Sequence, residues 1–321
     1  MPRPTLLRLL APPILAALLT LACAARPARP AATAPPSAGA ADTVPLRRAL
    51  EELLRGYPGV AGVSVKNLAT GEAISIRGGE TFPTASLIKV AVLVALLDEA
   101  RKGALRLDER TTMIARDRVG GSGVLQYVGS GVEPTLEDLA WLMITISDNT
   151  ATNLILDKIN VRTVWDKMEA LGLPHTKIHS KTFLRSTSIA MDSSVKYGLG
   201  VTTPDETVRL FELLHQGRAV SPALDSLAIR MLRANQDLAK LARWLPEDLA
   251  FAHKTGEVDA SRSDCGILYG PDAPVALCVM TRENRDHSYA VDNPANLLMA
   301  RIGLAVFRHY NPSAKVPDPP R

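Results

Sequence analysis

The chain has 321 residues, a mass of 34.5 kDa and a formal net charge of +4. Apolar residues make up 46% and charged residues 22%, which is ordinary for a globular protein and excludes a largely disordered chain. The small net charge, the 4% aromatic content and the lack of a Lys/Arg-rich run argue against a nucleic-acid-binding surface. Three cysteines are too few for a disulfide-rich scaffold or a multi-cysteine zinc module.

The amino terminus has the pattern of an export signal. Residues 1–8 are short and basic, and residues 9–21 are apolar but too short to span a bilayer. Two processing sites compete: a lipobox ending at Cys23, which would then carry lipid and attach the protein to the membrane, and an A-x-A site at residues 22–24. Residues 24–41 are rich in Pro and Ala and predict an extended tether. Both sites predict an exported protein, periplasmic or lipid-anchored to the envelope.

The folded part is expected over residues 42–312, with strands at both ends of the chain and helices in its middle. Alternating apolar residues and turn residues predict five strands, at 60–66, 72–77, 251–255, 265–269 and 275–282. Helical spacing and capping residues predict helices that begin near 42, 86, 136, 160, 202, 221 and 293. The helix over 86–101 is apolar nearly all round, so we expect it inside the protein.

This order predicts an α/β (α+β) fold with one antiparallel five-stranded sheet flanked by the terminal helices. Residues 42–85 and 250–312 would form that sheet lobe, and residues 86–249 an all-helical lobe. Residues 313–321 would be a polar tail. A cleft between two lobes is a common place for a functional site.

The first of three short motifs is Ser86-Leu87-Ile88-Lys89, at the start of the apolar helix. Its Ser and Lys are one helical turn apart on the same face. A Ser hydroxyl is a poor nucleophile without a base nearby, and burial disfavours the charged form of a Lys, which can then accept a proton. Ser86 is therefore a candidate nucleophile and Lys89 its base, although the pattern alone is common.

The second motif, Ser147-Asp148-Asn149, follows the helix that begins near 136. Its hydroxyl suits a proton relay, and its amide suits a substrate carbonyl. Taken alone, the motif is better explained as an N-cap cluster that joins two helices.

The third motif, Lys254-Thr255-Gly256, lies on the strand at 251–255. A cation and a hydroxyl on a sheet edge suit a substrate carboxylate. The next backbone amide, of Glu257, would form an oxyanion hole together with the amide of Ser86.

In this order, the three motifs are the signature set of class A β-lactamases and penicillin-binding proteins. The chain resembles the class A β-lactamase family and related penicillin-recognising serine hydrolases over about Thr43 to Tyr310. The resemblance implies the β-lactamase/D,D-peptidase fold and an enzyme that opens β-lactam amides through an acyl-serine intermediate. The chain lacks H-E-x-x-H, P-loop and G-x-G-x-x-G motifs, so no cofactor and no metal is expected, and we expect a monomer.

The resemblance also implies a role for each motif residue. Ser86 would attack the carbonyl, Lys89 would take part in proton transfer, and Ser147 would pass a proton to the leaving nitrogen. The amide of Asn149 would bind the substrate. The remaining roles are carboxylate binding for Lys254 and Thr255, and structural support for Asp148 and Gly256.

Two further positions are less well defined by the resemblance. Ser122, in the loop 120–123, lies where the family has one wall of the cleft. Arg262 would add positive charge near the substrate carboxylate, or would be a solvated turn residue.

One departure from the family concerns hydrolysis of the acyl-enzyme. Class A β-lactamases have a Glu in a loop before the Thr-Thr-Pro helix start, and it acts through a water. Here the matching residues 181–186 read KTFLRS, and Asp192 is the one acid left as a loop candidate. The deacylation base is therefore expected to be missing, which calls efficient β-lactam turnover into question.

Three functions remain open at this point: a β-lactamase, a D-alanyl-D-alanine peptidase or related cell-wall hydrolase, and a slow-turnover penicillin-binding protein. Cys265 and Cys278 also leave two alternatives. They fall opposite each other on paired strands, so they would form a disulfide in an oxidising compartment, or they would be two small buried residues.

Overall fold

The structure, a computed structural model, describes residues 43–316 and Asp318. The expected signal peptide, Cys23 and the tether lie outside the described residues. Within the described part of the chain, no helix is both long and apolar enough to cross a membrane.

The described strands form two antiparallel sheets. The strands are β1 (Val60–Asn67), β2 (Ala73–Ile76), β3 (Phe82–Pro83), β4 (Lys177–Ile178), β5 (Gly200–Thr202), β6 (Ala250–Val258), β7 (Ser261–Tyr269) and β8 (Pro274–Arg282). Five of these strands make the main sheet, in the order β2-β1-β8-β7-β6, so that β6 lies at one edge. Three short strands make a second sheet, in the order β3-β5-β4.

The described α-helices are α1 (Thr43–Arg55), α2 (Lys89–Arg101), α3 (Leu136–Thr145), α4 (Asn149–Ala170), α5 (Met191–Tyr197), α6 (Pro204–His215), α7 (Pro222–Arg233) and α8 (Pro294–Tyr310). The terminal helices α1 and α8 contact each other and cover one face of the main sheet, where Leu46 and Leu50 of α1, one turn apart, point into the core between helices and sheet. Helices α6 and α7 pack against the other face.

Helix α2 lies at the centre of the hydrophobic core that the helices in the middle of the chain form. Every residue from 89 to 98 is buried, and α2 contacts α3, α4 and α7. The apolar sequence of α2 agrees with this position, since a helix without a polar face is stable only when surrounded by protein. Its first residue, Lys89, is thereby held inside the protein.

The predicted strands and most predicted helices are present, with some differences. The segment Ala85–Ile88 is a 3₁₀ turn rather than the first turn of α2. Helix α4 begins at Asn149 and is kinked at Asn160, whose φ is 59°. Asn160 Oδ1 accepts from the Thr163 N–H at 3.0 Å and caps the second segment of α4, so the predicted helix start at Asn160 is confirmed, although the segment continues an earlier helix. The second sheet was not predicted, because strands of two or three residues have no readable periodicity. Helix α5 was not predicted either, since its seven residues make only about two helical turns. Past the expected end of the fold, the Ser313 N–H donates to Asp272 at 2.9 Å, so the tail begins attached to the sheet lobe.

Candidate active site

The nucleophile candidate Ser86 lies in the 3₁₀ turn Ala85–Ile88, which enters α2. Ala85 has φ 43°, in the left-handed region that residues with a side chain rarely adopt. The Leu87 N–H donates to the Thr84 carbonyl at 3.0 Å and closes the turn. Ser86 is partly exposed, whereas its neighbours Ala85 and Leu87 are buried. The turn therefore presents the Ser86 side chain at the surface of an otherwise closed core.

Lys89 follows one turn later and is completely buried. Its Nζ donates to the Ser147 carbonyl at 2.7 Å and to Asn149 Oδ1 at 2.8 Å, and it lies 3.2 Å from Ser147 Oγ. Burial lowers the pKa of Lys89 well below its usual value, and the nearby Lys254 ammonium lowers it further. A Lys in these surroundings is suited to accept a proton from a neighbouring hydroxyl.

Ser147 connects the two lysines of the site. Its Oγ lies 3.2 Å from Lys89 Nζ and 3.2 Å from Lys254 Nζ. Ser147 has φ 58°, so its backbone is also in the left-handed region. Lys254 is buried, and desolvation lowers its pKa to about 8. The Ser147 hydroxyl therefore has a cationic hydrogen-bond donor on one side and a candidate base on the other.

Asp148 joins the loop that contains Ser122 to the start of α4. Its carboxylate is buried and accepts from the N–H groups of Val124, Leu125 and Ala151 at 2.7, 2.8 and 2.9 Å. The last of these bonds caps α4. All three contacts of the Asp148 carboxylate are with backbone N–H groups, which agrees with the structural role expected for Asp148.

Asn149 is less available than the resemblance implied. Its Oδ1 accepts from Lys89, its Nδ2 donates to the Gly120 carbonyl at 2.9 Å, and 4% of its surface is exposed. A substrate that binds this amide has to compete with the Gly120 carbonyl. Asn149 therefore positions Lys89 in this structure.

The motifs meet in a cavity of about 290 Å³. Ser122 is an exposed residue on its wall, and Glu257 lines it next to the motif on β6. The cavity thus brings the nucleophile, the relay hydroxyl and the carboxylate-binding pair together. The lining residues are Ser86, Ser122, Thr145, Ile146, Ser147, Asn235, Gln236, Asp237, Lys254, Thr255, Gly256 and Glu257.

Gly256 lets β6 approach the nucleophile turn. A Cβ at this position would lie 2.2 Å from the Thr84 carbonyl oxygen and 2.7 Å from the Leu87 nitrogen. Both atoms belong to the backbone around Ser86, so they have little freedom to move aside. Only glycine therefore fits between the strand and the turn.

Sequence reasoning missed two carboxylates at the cavity, Asp237 and Glu257. Lys240, buried to 2% exposure, lies between them, with its Nζ 2.6 Å from Asp237 Oδ2 and 3.1 Å from Glu257 Oε2. Burial alone would raise the pKa of Asp237, but the Lys240 ammonium outweighs it and brings that pKa below its usual value. Asp237 is therefore an ionised, ion-paired group and a weak base. No motif marks Asp237, because it lies in an irregular segment.

Arg262 is buried on β7 next to the cavity rather than solvated at a turn. It does not line the cavity, but its Nε lies 3.6 Å from Oε2 of Glu257, which does. Its guanidinium donates to the carbonyls of Asp259, Ser261 and Ser288 at 2.8, 2.9 and 2.8 Å. The expectation of a solvated turn residue was wrong, because these carbonyls give the guanidinium partners inside the protein. The same bonds leave it little freedom to reach a substrate in the cavity.

The loop that follows residue 180 has no acidic side chain at the site. Asn153, one turn after Asn149, bonds to the backbone of Thr182 and holds the loop against α4. The Thr182 hydroxyl is buried and has no hydrogen-bond partner among the described residues. Asp192, the one loop candidate for a base, is exposed in the first turn of α5 and does not line the catalytic cavity.

The two cysteines of the sheet are bonded to each other. Cys265 lies opposite Cys278 in the register of β7 and β8, and their sulfur atoms form a disulfide. The alternative of two small buried residues was therefore wrong. In the register of β6 and β7, Cys265 also lies opposite Lys254, so the disulfide is one strand away from the site.

Comparison with known proteins agrees with this fold. The model of the "Beta-lactamase enzyme family" matches residues 45–310. A β-lactamase from Streptomyces fradiae is 29% identical over 308 residues, which cover 87% of this chain and 89% of that one. The ancestral (GNCA) class A β-lactamase structure is 28% identical with a TM-score of 0.72, over 82% of this chain and 99% of that one.

A third similar structure is a mutant of PBP-A in an acyl-enzyme complex with penicillin G. It is 26% identical with a TM-score of 0.72, over 82% of this chain and 95% of that one. The sequence match, the sheet order and the three motifs around one cavity all lead to the same assignment. The chain belongs to the β-lactamase enzyme family.

Proposed function

We propose that this protein opens β-lactam amides by acylation of Ser86. The observation that carries the proposal is the position of Ser147 Oγ, 3.2 Å from both Lys89 Nζ and Lys254 Nζ, in the cavity that Ser86 lines. A cell-wall peptidase would need the same groups. The similarity of this chain to β-lactamases supports β-lactams as its substrates.

In the first step, neutral Lys89 accepts the Ser86 hydroxyl proton while Oγ attacks the β-lactam carbonyl. The backbone N–H groups of Ser86 and Glu257 would stabilise the negative oxygen of the tetrahedral intermediate. The ring C–N bond then breaks. Ser147 gives its proton to the leaving nitrogen and receives one from Lys89, so protons balance and the product is acyl-Ser86.

Substrate orientation would come from Lys254 and Thr255. The Lys254 ammonium is buried, so water screens it weakly and a substrate carboxylate is attracted to it strongly. Because Lys254 also contacts Ser147 Oγ, the carboxylate would bind next to the group that protonates the leaving nitrogen.

The test is to mix the protein with a chromogenic cephalosporin and follow both product formation and intact mass. We expect ring opening together with a mass increase that maps to Ser86. No ring opening and no adduct, from a protein that is folded by circular dichroism, would contradict the proposal.

We also propose that the chain is exported, and is lipid-anchored through Cys23. The support is the basic, apolar and small-residue order of residues 1–23. Labelling cells with a radioactive fatty acid tests the anchor, with Cys23→Ser as the control that must lose the label. A labelled Cys23→Ser protein, or an unlabelled wild type, would contradict lipidation. We further propose a monomer, which sedimentation equilibrium would test.

A further inference from the structure

Lys240 is a buried cation next to the catalytic cavity, and the proposed acylation steps do not use it. It lies in the segment 234–249 between α7 and β6, and 2% of its side chain is exposed. Its Nζ lies 2.6 Å from Asp237 Oδ2 and 3.1 Å from Glu257 Oε2. Both carboxylates line the cavity, whereas Lys240 does not. Lys240 therefore contacts the cavity wall from the protein interior.

The two ion pairs of Lys240 join separate parts of the chain. Asp237 belongs to the same segment as Lys240, whereas Glu257 belongs to β6, so the ammonium attaches the segment to the strand. Burial lowers the pKa of Lys240, but the nearby carboxylates, Asp237 first, outweigh burial and bring that pKa above its usual value. Lys240 is thus a cation, and its removal would leave two carboxylates without the counter-ion between them.

The segment 234–249 is attached to the sheet on both sides of Lys240. Asn235 Nδ2 donates to the His253 carbonyl at 3.2 Å, and the Leu241 N–H donates to the buried Asp264 carboxylate at 3.0 Å. Neither bond involves residue 257. In the part of the chain that the structure describes, the polar contact between this segment and Glu257 is the Lys240 ion pair.

The position of Glu257 matters because its backbone N–H is one of the two expected oxyanion donors. Such donors must lie about 2.7–3.1 Å from the oxyanion, so small displacements reduce their effect. Glu257 is one residue from the end of β6, which is an edge strand. Its carboxylate is held by Lys240 and lies 3.6 Å from Arg262 Nε of β7. The side chain of Glu257 thereby restrains its own backbone.

Lys240 also acts on the charge of Lys254. Desolvation lowers the pKa of Lys254 to about 8 against the Asp237 carboxylate, which raises it, and the Lys240 ammonium contributes to the lowering. The other charged or titratable groups around Lys254 are Lys89 of α2, Glu257 of β6, and Asp264 of β7, which bonds to His253. Loss of Lys240 and loss of Asp237 should therefore change the titration of Lys254 in opposite directions.

We propose that Lys240 is a positioning residue for the acylation of Ser86: its ion pairs with Asp237 and Glu257 fix the Glu257 backbone N–H that stabilises the oxyanion. It acts through these carboxylates and does not touch the substrate. This inference rests on the proposed function, because the oxyanion forms in that reaction.

The first test is single-turnover acylation of Lys240→Met by a chromogenic cephalosporin and by its methyl ester, at a pH well below the Lys254 pKa of about 8. We expect the acylation rate constant to fall about 10-fold or more for both substrates, part of the 10²–10³ that loss of one oxyanion donor costs. The dissociation constant of the non-covalent complex should change less, because the oxyanion forms only after attack.

The second test is the pH at which the acid-to-ester ratio of kcat/KM falls, since that ratio reports the charge of Lys254. Lys240→Met should raise this pH by about one unit, and Asp237→Asn should lower it, because a neighbouring charge shifts a pKa by about that much or more. Loss of structure alone would not give opposite shifts from the two partners of one ion pair.

Lys167→Met is the matched control. Lys167 is also shielded from solvent, with 12% of its side chain exposed, and pairs with buried Asp98 at 3.0 Å, but it does not line the catalytic cavity. This variant should keep the wild-type acylation rate constant and the wild-type pH dependence of the ratio.

Wild-type acylation by Lys240→Met, or shifts of the same sign in Lys240→Met and Asp237→Asn, would overturn the inference. A rate loss confined to the acid would also overturn it, because Lys240 would then bind the substrate carboxylate itself. If the cephalosporin does not acylate the wild-type protein, the proposed function fails. An NMR titration of Lys254 with ¹³C-labelled lysines needs no substrate, and shifts of the same sign there would still overturn the inference.

Discussion

The side-chain amide of Asn153 pairs with the backbone of Thr182: Oδ1 accepts from the Thr182 N–H at 2.7 Å, and Nδ2 donates to the Thr182 carbonyl at 3.1 Å. The loop after residue 180 is thereby fixed to α4 one turn beyond Asn149, which bonds to Lys89. The residue that is held there offers a buried hydroxyl instead of a carboxylate. The loop thus keeps its attachment near the site but supplies no base.

We therefore expect fast acylation followed by slow hydrolysis of the acyl-enzyme. A positioned general base contributes about 10² to 10⁴ in rate, so deacylation should be slower than with such a base by up to that factor. Stopped-flow measurements with a chromogenic cephalosporin should show a burst of about one equivalent and then a slow steady state. Asp192→Asn should leave both phases unchanged, because Asp192 is exposed and outside the catalytic cavity. Fast linear turnover without an adduct would reveal a base that we have not identified.

A fluorescent penicillin should label Ser86 and no other residue. Ser193 precedes Lys196 by the same spacing, but it lies on the short helix α5 and does not line the catalytic cavity. Peptide mapping of wild type, Ser86→Ala and Ser193→Ala checks this. Label should disappear in Ser86→Ala and persist in Ser193→Ala, and any label that remains on Ser86→Ala would contradict the assignment.

Recognition of the substrate carboxylate should depend on pH through Lys254. Its pKa is lowered to about 8, so the ammonium is present below that pH and is lost above it. The ratio of kcat/KM for a carboxylate substrate to that for its methyl ester should therefore fall as the pH rises through about 8. Titration of Lys89 changes kcat/KM by the same factor for both substrates, so it cancels in the ratio. The pH dependence of the ratio therefore reports the charge of Lys254.

Lys254→Ala should lower kcat/KM for the carboxylate substrate by about 10- to 100-fold, the range for hydrogen bonds to charged groups. The ester should lose less, and the ratio should become independent of pH near 8. Equal losses on both substrates would remove the assigned role.

Gly256→Ala should destabilise the protein and impair acylation. The new methyl group would lie 2.2 Å from the Thr84 carbonyl oxygen, and the strain of such overpacking is about 1–3 kcal/mol in the free energy of unfolding. Gly56→Ala is the matched control, since nothing lies within 4 Å of its added carbon. Urea unfolding and the acylation rate of both variants provide the comparison. Equal stability of the two variants would show that β6 and the nucleophile turn can separate easily.

Thiol titration of unfolded, unreduced protein should find no free thiol from Cys265 and Cys278. A Cys23→Ser background removes the third cysteine from the count. The bridge closes a sequence separation of 13 residues, and its reduction should lower the free energy of unfolding by about 3 kcal/mol. Two titratable thiols per chain would exclude the bridge.

The sequence was sufficient to predict the main sheet and the order of the motifs. Strands such as Val60–Asn67 have apolar runs bounded by turn residues, and Pro204, Pro222 and Pro294 mark helix starts in the structure as they do in the sequence. Helix α2 was predictable because its apolar composition requires burial. Each of these features depends on neighbouring residues alone.

Features that depend on distant contacts were not predictable. Asp237 and Lys240 have no periodic pattern, and only the folded chain brings Glu257 next to Lys240. Arg262 was misread because a charged residue near a turn is ordinarily solvated, whereas here three carbonyls compensate its burial. At Asn160 the predicted cap is present, but the sequence did not show that the capped segment directly continues a helix that begins at Asn149.

The left-handed backbone of Ala85 and Ser147 has a consequence for the stability of the whole protein. Such conformations cost about 1–3 kcal/mol each, a sizeable part of the roughly 5–15 kcal/mol by which native proteins are ordinarily stable. The rest of the fold, including the buried helix α2 and the bridged sheet, must compensate for that cost. Mutations that weaken the distant core would therefore abolish activity through unfolding, even where the site itself is untouched. Stabilising the chain by replacing Ala85 with glycine would relax the turn but leave the nucleophile less ordered.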